Sequence, residues 1–130
     1  MAKVQGIGGV FIYADDMEGL AQWYETHLGL TLQSWGQCRG TELPSRDIDP
    51  GARAATTTFS IFKAEQPLPE VRTARLNFRV SDLDALLVEL RAAGQAVEDT
   101  VEEGDYGRFA WVRDAEGNRV ELWEPPVRSD

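Results

Sequence analysis

Glu121 stands inside GNRVELWEP (Gly117 to Pro125), between Val120 and Leu122, in a segment whose alternation reads as a β-strand. A carboxylate so placed either points to water or is held inside. Held inside, it can anchor a cation, accept a hydrogen bond or take a proton as a general base. Few other residues carry obvious chemistry. Cys38 has no partner for an internal disulfide, which agrees with a reducing compartment, and no histidine lies near it in sequence to activate it. The single histidine, His27, lies in WYETHLGL, as a partly buried helix residue near a cap. A net charge of −9 argues against nucleic acid, which demands clustered Lys and Arg, while an acidic surface attracts cations.

The elements that position these residues come in two rounds. VFIYADDMEGLAQWYETHLGL, from Val10, and LNFRVSDLDALLVELRAAG, from Leu76, align at a constant offset: Ile12 with Phe78, Asp16 with Asp82, Met17 with Leu83, Leu20 with Leu86. Each copy predicts a strand (7–13 and 74–80) and then a helix. Asp15 or Asp16 caps the first helix, whose Leu20, Trp23, Tyr24 and His27 recur at three- and four-residue steps, and Gly29 ends it. Ser81 or Asp82 caps the second, with Leu83, Leu86, Leu87 and Leu90 as its apolar stripe and Gly94 as its end. Further strands are expected over 30–38 and 55–63 in the first round, and over 95–101, 107–113 and 118–124 in the second. DAEGN, with Gly117, makes the last hairpin turn. GTELPSRDIDPGARA (40–54) reads as an aperiodic loop, EEGDYGRF as a solvated loop beside the final hairpin, and QPLPEVRT as the linker.

The expected fold is therefore α+β, a single domain of 130 residues built of two pseudo-symmetric βαβββ modules, about 5–64 and 72–126, forming a curved cleft. No apolar run reaches the ~18 residues of a membrane span, and the N-terminus lacks a basic, then apolar, leader. The expected setting is cytoplasmic.

DDMEGLAQWYETHLGL (Asp15 to Leu30) and DAEGNRVELWEP (Asp114 to Pro125) resemble the motifs of the vicinal oxygen chelate superfamily, which includes glyoxalase I, extradiol dioxygenases and bleomycin-binding resistance proteins. In its metal-dependent members the resemblance implies ligands on the first and last strands of each module. Mapped onto this chain, those positions are Gly9, Ser60, Arg75 and Glu121. Only Glu121 keeps a ligand-type side chain, and arginine repels an ion. The expectation is thus a lost metal site and no cofactor, with Glu121 and Arg75 converging in the cleft as an ion pair or polar anchor. Alternation adds Phe11 and Tyr13 to the face of Gly9, Asn77 and Arg79 to that of Arg75, Phe62 to that of Ser60, and Trp123 to that of Glu121. The candidate ligand-binding set is Ser60, Arg75, Phe11, Tyr13, Phe62, Asn77 and Trp123, joined by Trp111 on an intervening strand, with Glu121 the candidate catalytic residue; Trp23 belongs to the core.

The resulting expectation is a metal-free small-molecule-binding member that sequesters a cationic aromatic compound and, as the resemblance implies, a homodimer, with no nucleic-acid or membrane partner. The alternative is a glyoxalase-like lyase, isomerase or dioxygenase, using a non-standard metal site or Glu121 as general base.

Overall fold

The structure is a computed structural model, and the residues described are 7, 9–45, 55–71 and 74–126. Two compact units divide the chain, Met1–Leu68 and Pro69–Asp130. Each has the order strand, helix, three strands, and each sheet has four strands.

In the first unit β1 (Gly9–Ala14) leads into α1 (Met17–Leu28), followed by β2 (Gln33–Ser34), β3 (Cys38–Ser45) and β4 (Ala55–Lys63). The sheet order is β1-β4-β3-β2, with β4 parallel to β1 and antiparallel to β3. Asp16 is the N-cap of α1, its carboxylate accepting from the Gly19 N–H at 3.0 Å. Such a cap stabilises a helix by about 1 kcal/mol. Gly29 closes the helix at φ 71, where only glycine sits without strain. The helix buries Leu20, Ala21, Trp23 and Tyr24 against the sheet, and Tyr24 meets Phe59 edge-on at 5.3 Å. Trp23 is a core residue, as expected, and His27 lies beside its ring at 5.3 Å. Arg39 ties strand to helix by donating to Glu18, Glu25 and the Leu32 carbonyl.

In the second unit β5 (Leu76–Arg79) precedes α2 (Leu83–Ala92), β6 (Glu102–Gly104), β7 (Gly107–Arg113) and β8 (Arg119–Glu124), in the sheet order β5-β8-β7-β6. Asp82 caps α2 through the Ala85 N–H. Leu83, Leu87 and Leu90 pack on a sheet face made by Ala110, Val112, Val120 and Leu122, while Leu86 stays half-buried at the margin of that stripe. Arg108 gathers Asp84, Glu103 and Glu124, at 2.8, 3.0 and 3.5 Å, and so joins the first turn of α2 to three strands.

Three expectations need correction. The stretch read as a loop from Gly40 is strand through Ser45; its remainder, 46–54, lies outside the described residues. Pro44 is tolerated because, among the described residues, β2 pairs only with Arg39 and Gly40, which leaves the far half of β3 an edge. Conversely, 95–101 holds a single bridge, Val97 to Val112, and the strand falls instead on 102–104 within the stretch read as a loop. The third correction concerns Arg75, which precedes β5 rather than lying in it, and is exposed. Among the described residues no helix is long and apolar enough to cross a membrane.

Candidate functional site

Side chains directly across a ladder share a face, so the register assigns every strand residue either to the helix side or to the open side. In the first unit the pairs Gly9–Thr58, Phe11–Ser60 and Tyr13–Phe62 place Phe11, Tyr13 and Phe62 together on the open side. Phe62 meets Phe11 edge-on at 5.7 Å and Tyr13 at 6.1 Å. Phe11 and Tyr13 remain 56% and 58% exposed, a large aromatic area left to solvent. A pocket of about 1040 Å³ adjoins them, lined in part by Tyr13, Met17, Phe62 and Leu68.

Ser60 behaves otherwise. It is only 2% exposed, beside Gly40, whose other near neighbour is the ring of Trp35. Gly40 permits that arrangement, since a Cβ there would lie 2.5 Å from Ser60 Oγ and 2.6 Å from the Trp35 ring. Ser60 therefore presents no hydroxyl to a ligand, contrary to expectation.

In the second unit the open side carries Asn77 and Arg79 of β5, Arg119, Glu121 and Trp123 of β8, and Phe109 and Trp111 of β7. Asn77 Nδ2 donates to Glu121 Oε2 at 2.8 Å, and Trp111 lies directly across the ladder from Glu121. One step along, Phe109 and Trp123 stack with centroids 6.5 Å apart, and the Trp123 indole N–H donates to the Tyr106 carbonyl at 2.7 Å. Arg119 lies over the Trp111 ring and forks onto Glu98. Those hydrogen bonds hold the guanidinium above an arginine's usual pKa, against desolvation that opposes it, with Glu121 and Glu102 adding to the effect. The same bonds hold Glu98 below the usual carboxylate range.

The structure thus brings Asn77, Trp111, Glu121 and Trp123 onto one face, but does not join Arg75 to Glu121. Among the described residues the carboxylate takes its hydrogen bond from Asn77 instead. The reason is geometric: Asn77 is the residue in register with Glu121 across the parallel pair, while Arg75 falls before the strand begins.

A divalent ion does not fit the four mapped positions. Gly9 offers no donor, and a Cβ there would already meet the Phe11 ring and the Thr58 carbonyl at 3.0 Å. Ser60 is buried, Arg75 is a cation, and Glu121 alone makes one ligand where several must converge. Among the described residues no three His, Cys, Asp or Glu side chains gather as a metal would need.

Arg119 and Glu98 escaped the sequence reading for different reasons. Arg119 is two residues before Glu121, so the alternation that supplied Trp123 also pointed to it. Glu98 lies in 95–101, expected as strand but holding only the Val97 bridge, so strand alternation gives no direction there.

Residues 6–122 match the family model of the Glyoxalase/Bleomycin resistance protein/Dioxygenase superfamily. Among solved structures of like fold are the oxidase ChaP-H2 (18% identity, TM-score 0.69, covering 98% of each chain) and the antibiotic binding protein TnmS3 from Streptomyces sp. CB03234 (23%, 0.68, covering 97% of this chain and 100% of that one). Lactoylglutathione lyase from Agrobacterium tumefaciens is a third (19%, 0.65, covering 95% and 96%). At such identities the likeness is one of fold. No curated protein sequence matches the chain.

Proposed function

The chain belongs to the glyoxalase/bleomycin resistance protein/dioxygenase superfamily, and from that premise we propose that it is a metal-free binding protein for a small cationic aromatic compound. The observation that carries the reading is the juxtaposition on the second sheet of a positioned carboxylate and aromatic rings. Glu121 is held by Asn77 at 2.8 Å and faces Trp111 across the ladder, with the Phe109–Trp123 stack beside it. Rings offer a flat ligand stacking area, and a carboxylate beside them selects a positive charge. The net charge of −9 favours the approach of such ligands. That one protein of like fold is an antibiotic binding protein is in keeping with this use of the scaffold. A homodimer and a cytoplasmic setting complete the proposal.

Tryptophan quenching tests it directly. A phenanthridinium dye should quench saturably, while neutral phenanthridine of the same ring size binds at least about tenfold more weakly, as for the loss of one charge-assisted contact. Equal binding of the two, or none of either, would remove the charge-selective reading. Titration with Ni²⁺, Mn²⁺, Fe²⁺ and Zn²⁺ forms the second arm. Stoichiometric uptake lost in Glu121→Ala would refute the metal-free reading.

A further inference from the structure

Arg119 is the cation already present on this face. Its guanidinium carbon lies 4.7 Å from the centroid of the Trp111 ring. Nε and Nη2 donate to the two carboxylate oxygens of Glu98 at 2.7 and 2.9 Å. Glu121 and Glu102 lie close enough to add to the field around it. A planar cation laid on an indole and forked onto a carboxylate is how proteins recognise guanidinium and amidinium groups.

The indole beneath adds an independent observation. Trp111 is 6% exposed, and its Nε1–H is buried with no hydrogen-bond partner among the described residues. Buried donors are paired almost everywhere, so this edge of the indole is one bond short in the present arrangement.

We propose that Arg119 is the internal occupant of a planar-cation subsite formed by Trp111, Glu98 and Glu121, and that an aromatic ligand bearing an amidinium or guanidinium group displaces it. The inference rests on the reading that this face binds a cationic aromatic compound. Glu98 can be forked by one planar cation at a time. An incoming cation therefore binds only the fraction of molecules whose Arg119 has turned outward, and its apparent affinity falls by that fraction. Arg119 can leave readily, being 38% exposed on a long, flexible stem. A hydrogen-bond acceptor on the ligand, near its cationic group, would then satisfy the Trp111 N–H. Arg119 sets the affinity threshold of this subsite and restricts it to cations able to take over both the indole face and the fork, whereas a ring cation such as phenanthridinium is held by Glu121 and the Phe109–Trp123 stack without entering it.

Benzamidine, a minimal aromatic amidinium, is the probe, with neutral benzamide as control and calorimetry as the readout. Arg119→Gln is expected to bind benzamidine about tenfold more tightly than the wild type, as when a competitor occupies the site nine-tenths of the time. Benzamide should be unaffected, and adding Glu98→Gln should abolish the gain. Arg119→Lys, which keeps the charge but lacks the fork, should fall between; it carries the test if Arg119→Gln fails to fold. Equal or weaker benzamidine binding by Arg119→Gln, with the wild type still binding the phenanthridinium dye, overturns the displacement and leaves the binding face standing. If neither protein binds benzamidine or the dye, the binding face and the subsite fall together.

Discussion

Glu121→Gln removes a charge and little else. The glutamine has the same length, and its amide oxygen can still accept from Asn77 Nδ2, now 2.8 Å from the carboxylate. Arg119 is not left alone, because its direct partner is Glu98. Folding stability should therefore stay within the small range of a surface change, about 0.5 kcal/mol. Ligand binding should not. Two unit charges about 4 Å apart attract by about 4 kcal/mol at an effective dielectric of ~20. Glu121 is only half-buried, so water screens it, and about 1–2 kcal/mol is the expected share. That corresponds to a loss of roughly 5- to 30-fold in affinity for the phenanthridinium dye. Quenching titrations of both proteins at about 50 and 500 mM salt measure it, and the gap should narrow at the higher salt. A loss smaller than about twofold would refute the reasoning. So would an equal loss for neutral phenanthridine, since shape rather than charge would then be at stake.

Other perturbations test the scaffold. Gly40→Ala forces a Cβ to within 2.9 Å of the Phe59 carbonyl, which cannot yield, and onto Trp35, which can; it should cost about 1–3 kcal/mol by thermal melting and red-shift the Trp35 emission. Asp82→Ala removes the cap bonded to the Ala85 N–H and should lower stability by about 1 kcal/mol, with Asp82→Asn restoring most of it. Glu98 and Asp84 are both held below the usual carboxylate range, chiefly by hydrogen bonds from Arg119 and Arg108. Their folded pKa values lie under the unfolded ones, so their stabilisation is present above about pH 5 and is lost as pH falls through the folded values. Melting temperatures measured downward from neutrality should fall in that acid range. The double variant Asp84→Asn, Glu98→Gln should flatten the decline, and an unchanged slope would contradict the assignment.

What could be read from sequence was what local physics dictates. Asp16 and Asp82 announce helix starts because a short acceptor before an apolar period has one natural use, and Gly29 marks a stop because left-handed backbone strongly favours glycine. Their spacing exposed the repeat, and the repeat exposed the sheets. β3 was hidden for the opposite reason. Gly40 is set by the Trp35 ring rather than by any turn, and Pro44 is acceptable only because its neighbour strand is so short. Both facts belong to tertiary structure. On the candidate site, alternation placed Glu121, Asn77 and Trp123 correctly on one face. It could not foresee that register would match Asn77 rather than Arg75 to Glu121, nor that Ser60 would be buried. Register depends on the residue where a strand begins, and β5 begins one residue after Arg75.

The strand orders β1-β4-β3-β2 and β5-β8-β7-β6 share a property that bears on biogenesis. In each module the strand synthesised last is inserted between the first and the third. Until it emerges, the first strand has no neighbour in its own sheet and the helix lacks its principal floor. Each module is therefore an all-or-nothing unit during translation, closing when its final strand arrives and bridging some forty intervening residues by parallel pairing, a slow step compared with zipping a hairpin. The first module can close once β4 is out, while the second is still being made. Until then Leu20 and Tyr24 of α1 lack Phe59 and Ile61 of β4 to pack against, so the interval before closure is when this chain is most exposed to aggregation.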